Sequence, residues 1–244
     1  MKKLTLLSVA LMAMLSSSCA ISYKMPDNRF ETPEVNSGFG KVTIKAAYGQ
    51  AKEIELTPDY STTYIDTSIP AITSKDQIHS GLSLGLIDNL EAGLRYLSDV
   101  GVALNFKYQF VGKKSEKGMH MAANISGGGG SESKSEGYST PSSAKLSNSF
   151  IGGDLIFGWR TGRDFMFYTS VFRDEASYKV DQTRAGVNQY FEGESVNTGG
   201  TFGIVVNFSN SANIMLEFAR AKATSGKSKL TSSAFGAGIN IFAF

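Results

Sequence analysis

Residues 78–111 have the sequence IHSGLSLGLIDNLEAGLRYLSDVGVALNFKYQFV, and this stretch decides the fold. Apolar residues alternate with small or polar ones in three consecutive runs, which are separated by short connections around Asp88-Asn89 and Ser98–Gly101. Successive side chains of a β-strand point to opposite faces, so this alternation predicts three strands with one apolar face each. Because the connections are short, the strands form an antiparallel meander.

The same alternation returns along most of the chain. It recurs in residues 42–48, 119–126, 151–160, 202–208, 214–219 and 230–244, whereas residues 165–172, FMFYTSVF, are a further predicted strand with both faces apolar. The pattern predicts an all-β, antiparallel up-and-down transmembrane β-barrel of about 10 strands, with 8 or 12 as alternatives, over residues 40–244. Alternate connections are short, which places them on the periplasmic side and the long ones outside.

Three polar stretches connect the predicted strands at the long end. Residues 51–75 are expected to form a loop, or a loop with a strand extension. Residues 127–144, GGGGSESKSEGYSTPSSA, contain too few apolar side chains to pack and are predicted to form a mobile loop. Residues 173–200 are a third long polar stretch between predicted strands.

The composition narrows the function classes. The formal net charge of the 244-residue chain is only +2, so neither nucleic acid nor an acidic partner is indicated. The single cysteine, Cys19, excludes an intramolecular disulfide and a cysteine-based metal cluster. No metal-ligand spacing occurs, and the Gly/Ser tract lacks the pattern of a phosphate loop, so no cofactor is expected.

The N-terminus has the order of a secretory signal, with Lys2 and Lys3 before an apolar run and a small-residue cleavage region. LSSSC resembles a bacterial lipobox, which would make Cys19 a lipidated N-terminus after removal of residues 1–18. The ordinary alternative is cleavage after Ala20. Residues 19–39 are interpreted as a periplasmic lead-in, with a segment folded into the barrel mouth as the alternative.

Alternation alone does not distinguish a membrane barrel from a soluble lipocalin-like cup. The non-apolar face favours a membrane barrel, because it is mostly Gly, Ala, Ser and Asn and suits a narrow, filled lumen. Aromatic residues also gather near predicted strand ends, where a membrane interface lies. These residues are Tyr48, Tyr96, Tyr108, Phe110, Trp159, Phe165, Phe208 and Phe242.

The C-terminal sequence FGAGINIFAF resembles the assembly signal of bacterial outer-membrane barrels, and the LSLGLIDNLEAGLRY hairpin and NFKYQF are similar to their strands. The resemblance implies location in the bacterial outer membrane, contact with its lipid and lipopolysaccharide, and insertion by the barrel assembly machinery. Phe242 and Phe244 are the residues that match the signal. Asn240 falls on the same parity as these two aromatics, and a β-bulge is the expected way to restore their facing.

Both signs of charge lie on the predicted lumen face. The structural interpretation is a network of ion pairs and hydrogen bonds that fills the barrel, because charges removed from water are unfavourable unless paired. A narrow solute channel is the alternative. The predicted network consists of Lys45, His79, Glu91, Arg95, Lys107, Asp154, Arg160 and Glu217.

No enzyme is expected. His79 with Asp76 and Ser80 meets the description of a general-base site, but hydrogen bonding by His79 in the lumen is the favoured interpretation. The expected role is structural or surface-binding, through outer loops whose aromatic residues could contact an extracellular ligand. These aromatics are Tyr60, Tyr64, Tyr138, Tyr190 and Phe191. Arg220 and Lys222 at the outer rim are expected to meet lipopolysaccharide phosphates.

Overall fold

The computed structural model describes residues 21–36, 38–56, 70–98, 100–136, 142–184 and 187–243. All regular structure in these residues is β-strand. No helix among them is long and apolar enough to cross a membrane. The strands are β1 (Ile21–Pro26), β2 (Val42–Leu56), β3 (Ala71–Ile87), β4 (Leu90–Leu97), β5 (Gly101–Val111), β6 (Gly118–Glu136), β7 (Ser142–Arg160), β8 (Phe165–Arg184), β9 (Val187–Ser209), β10 (Ala212–Ser225) and β11 (Ser228–Ala243).

Strands β2 to β11 form a closed antiparallel ring. Each strand pairs with the next one along the chain, and β2 also pairs with β11, from Ala243↔Val42 to Ala237↔Tyr48. Closure leaves no open sheet edge at the level of this pairing, which is the condition for a sheet to span a bilayer. The prediction of an all-β up-and-down barrel with about ten strands is therefore confirmed.

The outer face of the ring carries a continuous apolar belt. On β5, for example, Val102, Leu104, Phe106, Tyr108 and Phe110 all point outward, and each is 46–57% exposed. They span roughly 27 Å along the strand, or about 20 Å across a bilayer at the usual strand tilt. The interior opposite this belt is charged, so the alternative of a soluble cup with an apolar interior is wrong.

The aromatic residues predicted at the strand ends divide into two groups. Tyr48, Tyr96, Tyr108, Phe110, Trp159, Phe165 and Phe208 lie on the outside and are 46–58% exposed. Phe242 is an exception, because Ile239 and Ile241 are the outward residues there and Asn240 is buried. The pairing of β10 with β11 continues in register through Asn240, so the expected bulge is absent at that point.

Two of the predicted loops are largely strand, which corrects the sequence interpretation. Strands β6 and β7 pair in register from Gly118↔Arg160 to Glu136↔Ser142. Strands β8 and β9 pair from Phe165↔Val206 to Arg184↔Val187. Backbone ladder hydrogen bonds need no apolar side chain, and an extension above the bilayer can be polar on its outer face. Of residues 51–75, β2 takes 51–56 and β3 begins at Ala71, while 57–69 lie outside the described residues.

These extended hairpins define the extracellular end of the barrel. The connections at the other end are short: Asp88-Asn89, residues 112–117, residues 161–164 and residues 210–211. Bacterial barrels have short periplasmic turns and long extracellular hairpins, so the end that carries the extended hairpins is extracellular and the opposite end is periplasmic. The apolar belt lies between the two ends.

Residues 21–36 lie inside the barrel and are called the plug here. Strand β1 pairs with the extracellular half of β2, and residues 27–36 continue through the lumen with nearly all their side chains buried. This part is therefore not a periplasmic lead-in, and its path follows the alternative of a segment folded into the barrel. Its prolines and mixed charges suggested a linker, but the polar groups find partners on the barrel wall.

Candidate functional site in the barrel lumen

The plug runs the length of the lumen from the extracellular end towards the periplasm. Ile21 pairs with Leu56 at the extracellular end of β2, and Pro26 pairs with Ala51 further down. The chain then turns back into β2 through Gly38 and Gly40, which have φ angles of +99° and +81°. This left-handed region is accessible to glycine at no steric cost, which suits both residues to a tight reversal.

Glu31 is the central carboxylate of the plug and is 1% exposed. Its carboxylate lies 3.1 Å from Lys107 Nζ, 3.2 Å from Lys45 Nζ and 3.5 Å from Arg95 Nη1. Burial alone would raise the pKa of Glu31, but these three cations together hold that pKa well below its usual range. Glu31 is therefore an ionised counter-ion for three cations of the wall.

Glu91 of the wall completes this central cluster. Its Oε1 lies 2.9 Å from Lys107 Nζ and 3.5 Å from Lys45 Nζ. Its Oε2 accepts a hydrogen bond of 2.9 Å from the backbone N–H of Asn36. The cluster therefore links the plug to strands β2, β4 and β5 by both side-chain and backbone contacts.

Arg29 forms a second cluster with the opposite side of the wall. Its Nε lies 2.9 Å from Asp154 and its Nη2 lies 2.6 Å from Asp174. The guanidinium group also stacks over the Phe172 ring, 4.2 Å from the centroid. A buried arginine with two carboxylates and an aromatic face has its charge and its planar group both satisfied.

Glu217 of β10 receives the plug backbone beside Arg29. Its carboxylate accepts hydrogen bonds from the backbone N–H groups of Arg29 (2.6 Å) and Phe30 (3.0 Å). The Tyr168 hydroxyl donates a third bond of 2.8 Å. An irregular segment cannot satisfy its own N–H groups, so this wall carboxylate supplies the acceptor that a strand would supply.

The periplasmic end of the plug is held by Glu34. Its two carboxylate oxygens accept hydrogen bonds from Arg160 Nε at 2.7 Å and Arg160 Nη2 at 2.6 Å. The backbone N–H of Ser115 donates a further bond of 3.0 Å. Arg160 Nη1 in turn donates to the carbonyl oxygen of Arg163 at 3.0 Å. Two periplasmic turns are thus connected to the plug.

The extracellular end of the plug has a different character, because it packs by apolar contact. Side chains of β1 and β2 meet inward residues of β7 and β8 in one buried cluster. The cluster contains Ile21, Tyr23, Met25, Ile54, Leu56, Ala144, Leu146, Ala176, Tyr178 and Val180. Just below it, Lys52 and Asp27 form an ion pair in which both side chains are fully buried.

The plug leaves little free space in the central lumen. Three small cavities beside it measure about 30 Å³, 20 Å³ and 10 Å³, and none has space for more than one or a few water molecules. A larger cavity of about 680 Å³ opens at the periplasmic end, between Lys114, Arg163, Phe208 and Phe242. The centre of the barrel is therefore closed by protein.

Four inward glycines of the wall make room for the plug. A Cβ atom at Gly49 would lie 2.8 Å from Asn28, and one at Gly85 would lie 2.5 Å from Asn36. A Cβ atom at Gly158 would lie 2.6 Å from Pro33, and one at Gly236 would lie 2.4 Å from Phe30. Such distances are too short for real carbon contacts. Inward glycine on several strands was the sequence signal from which a lumenal segment could have been inferred.

The eight residues predicted to form the lumen network fall into distinct groups. Lys45, Glu91, Arg95 and Lys107 surround Glu31. Asp154 forms an ion pair with Arg29, and Glu217 accepts a hydrogen bond from the Arg29 backbone N–H. Arg160 forms an ion pair with Glu34. Sequence reasoning missed the groups that bring them together: Asp27, Arg29, Glu31, Glu34, Lys52 and Asp174.

His79 is the eighth predicted residue, and its surroundings differ from the expected hydrogen bonding. Its ring lies edge-on to Phe30, with centroids 5.3 Å apart. Neither ring nitrogen has a hydrogen-bond partner among the described residues. His79 is buried on the inner face, whereas Asp76 and Ser80 are exposed on the outer face of β3. The sheet therefore lies between His79 and the other two residues of the hypothetical general-base site.

Phe242 lies at the periplasmic end and contributes to the inner lining there. Lys114 Nζ lies 4.2 Å from the centroid of its ring, in a cation–π contact. Cys19, Tyr60, Tyr64, Tyr138 and Phe244 lie outside the described residues. Within the described ranges, no group of three or more His, Cys, Asp or Glu side chains could hold a metal ion.

The closed ring, the outward apolar belt and the paired charges inside are the features of an outer-membrane β-barrel. No protein-family model matches the sequence, and no curated protein matches it either. Solved barrels resemble the fold distantly, and each likeness carries no inference about activity.

Three such structures illustrate the likeness. The N-terminal β-barrel domain of Pseudomonas aeruginosa OprF is 13% identical, with 84% of this chain and 100% of that one covered and a TM-score of 0.32. The translocator domain of the autotransporter NalP from Neisseria meningitidis is 9% identical, with 86% and 90% covered and a TM-score of 0.42. The outer-membrane protease OmpT from Escherichia coli is 9% identical, with 93% and 95% covered and a TM-score of 0.40.

Proposed function

We propose that the protein is a non-conducting, non-catalytic outer-membrane barrel that binds a partner at the cell surface. The observation that carries this proposal is the length of the β8–β9 hairpin. Val171 is the last outward apolar residue of the belt on β8. Beyond it the two strands stay paired from Phe172↔Gly199 to Arg184↔Val187. This extension is roughly 40 Å along the strands. A barrel that served only to span the membrane would not need it.

The extension has the surface chemistry of a recognition site. Its outer face carries both signs of charge, as in the ion pair of 2.6 Å between Arg173 and Glu175. Near its tip, Tyr190 is 52% exposed and its hydroxyl donates a 2.7 Å hydrogen bond to Glu192. Tyrosine is enriched in binding sites because it offers a large contact area at a low entropy cost. Paired strands also hold these groups in place before binding, which reduces the ordering cost.

A shortened hairpin tests the surface-binding role. Val180 pairs with Phe191, and both contribute inward contacts, so residues 181–190 can be replaced by Asn-Gly without changing the register. We expect this variant to lose adhesion of intact cells to gelatin-coated or heparin-coated surfaces. The matched control replaces residues 136–142 with Asn-Gly, which joins Ser135 to Ser143 and leaves β8–β9 intact.

Folding of both variants is checked by heat-modifiable gel migration, because a folded barrel migrates faster than the unfolded chain. Equal adhesion by the wild type and the variant lacking residues 181–190 would contradict binding through this hairpin. Loss of adhesion in the control alone would assign binding to the β6–β7 hairpin instead. Absence of adhesion by the wild type to both surfaces would also count against the proposal.

The filled lumen supports the non-conducting part of the proposal over the alternative of a narrow channel. An ion would have to displace side chains that hold charged partners at 2.6–3.5 Å. In planar bilayers we therefore expect no current above background from the full chain. A chain that lacks residues 22–36 is expected to conduct. Steady current from the full chain would favour the channel.

The same proposal covers catalysis and assembly. The separation of His79 from Asp76 and Ser80 by the sheet supports a non-catalytic role.

Insertion by the barrel assembly machinery through β11 is also part of the proposal. The inward position of Phe242 means that Phe235, Ile239 and Ile241 supply the outward apolar side chains of that strand.

A further inference from the structure

Three outward phenylalanines lie in one row across β9, β10 and β11. Phe218 pairs with Phe202 on one side and with Phe235 on the other. The three side chains are 52%, 48% and 61% exposed. Apart from Val196, and Tyr190 and Val187 near the hairpin tip, the exposed residues of these strands nearer the extracellular end are polar or glycine. The row therefore marks the extracellular edge of the apolar belt on this side of the barrel.

Two cations stand directly above this row on β10. Arg220 follows Phe218 on the outer face, and Lys222 follows Arg220. Both are exposed, and neither has a hydrogen-bond or ion-pair partner among the described residues. Cations on the neighbouring β8 differ in this respect, because Arg173 pairs with Glu175 and Lys179 with Glu192. Arg220 and Lys222 are therefore available to an external anion.

The positions beside these two cations leave space around them. Arg220 has Gly200 and Ser233 as its in-register neighbours, and Lys222 has Thr198 and Thr231. No larger side chain on β9 or β11 covers either cation within its row. A third cation, Lys229, is exposed on β11 beside Thr224, one row further out. Successive rows are about 7 Å apart along a strand.

This arrangement matches the chemistry of a phosphorylated lipid in the outer leaflet. Acyl chains contact the belt, and headgroup phosphates lie beyond its edge, on the side where the three cations stand in successive rows. Arginine binds phosphate through two parallel hydrogen bonds, and lysine contributes a point charge. We propose that Arg220, Lys222 and Lys229 bind the phosphate groups of a lipopolysaccharide molecule, whose acyl chains pack on Phe202, Phe218 and Phe235.

The proposal is independent of the surface-binding hairpin, because it concerns a different group of strands at the level of the membrane. It can therefore be tested on the full chain, folded in detergent micelles. The probe is bisphosphorylated hexa-acyl lipid A, compared with the same lipid after removal of its phosphates. Lipid retained by the protein is measured by native mass spectrometry over a range of lipid concentrations.

The informative variant is Arg220→Ser/Lys222→Ser. A basic residue near a charged lipid surface contributes about fivefold in affinity, so removal of two should weaken lipid A binding about 25-fold. The matched control is Lys179→Ser, which removes an exposed cation from the outer face of β8. Because all three residues are exposed, heat-modifiable migration should show that every variant folds.

We expect the wild type and the Lys179→Ser control to bind lipid A tightly and the dephosphorylated lipid weakly. Equal binding of the two lipids would overturn the phosphate site. Unchanged binding by Arg220→Ser/Lys222→Ser would place the lipid elsewhere on the barrel and would also overturn it. Equal competition by phosphatidylglycerol would show a general anionic-lipid surface, which contradicts the assignment to lipopolysaccharide.

Discussion

Glu31 Oε2 lies 3.1 Å from Lys107 Nζ, and this contact joins an irregular segment inside the barrel to the membrane-spanning wall. The two residues are 76 positions apart in the sequence, and both are at most 2% exposed. Their contact is one of several by which the plug and the wall neutralise each other.

Glu31→Gln is expected to destabilise the folded barrel. The substitution removes the shared counter-ion of Lys45, Arg95 and Lys107 and leaves buried positive charge poorly compensated. Breaking a buried ion pair from one side costs about 3–5 kcal/mol. Urea unfolding in lipid vesicles, followed by gel migration, measures the change. Glu175→Gln is the control, because that exposed carboxylate should contribute under about 0.5 kcal/mol; equal effects would contradict the central role of Glu31.

The contribution of Glu31 to stability should be lost in acid. The pKa of Glu31 is lowered from its ordinary value of 4.5 in the folded protein. The ionised carboxylate therefore stabilises the folded state fully at pH values above 4.5. This contribution is lost as the pH falls from about 4.5 towards the lower folded pKa, because protonation is then favoured in the unfolded chain first. Unfolding measured between pH 7 and pH 3 should show a decline that is smaller in Glu31→Gln. Parallel curves for the two proteins would assign the decline to other carboxylates.

Gly236→Ala should destabilise the contact between the plug and the wall. The added Cβ would lie 2.4 Å from the Phe30 ring and 2.8 Å from a backbone oxygen. Overpacking of this kind costs about 1–3 kcal/mol. Gly162→Ala is the matched control, because nothing lies within 4 Å of the position and its φ is not in the left-handed region. Urea midpoints should separate the two variants, and a neutral Gly236→Ala would show that Phe30 can move away.

The path of the plug predicts that residue 21 is near the cell surface. Ile21 pairs with Leu56, at the extracellular end of β2. An epitope inserted between Ala20 and Ile21 should therefore be bound by antibody on intact cells. The same epitope inserted after Gly162, in a periplasmic turn, should be bound only after the outer membrane is permeabilised. The reverse result would show that the barrel is inverted or that the plug leaves the lumen.

The sequence was sufficient for the barrel itself. Alternation in residues 78–111 identifies strands and their apolar face because the period of two is a local property of extended chain. It also predicted that Tyr108 and Trp159 lie on the apolar face of the sheet, and it predicted which charged side chains lie on the opposite face. The recurrence of this pattern along the chain also predicted a barrel of about ten strands, with 8 or 12 as alternatives, and the pairing of β2 with β11 decided the number.

The tertiary structure decided what fills the barrel. Residues 27–36 have no periodicity, because each makes a different contact with a different strand: Arg29 with Asp154 and Asp174, Glu31 with Lys107, Glu34 with Arg160. Such contacts depend on closure of the ring, which brings distant strands around one segment, and no local sequence pattern encodes them. The extended hairpins have a different reason: the Gly/Ser tract forms strand because neighbouring strands supply its backbone partners, β5 as far as Gly129 and β7 as far as Glu136.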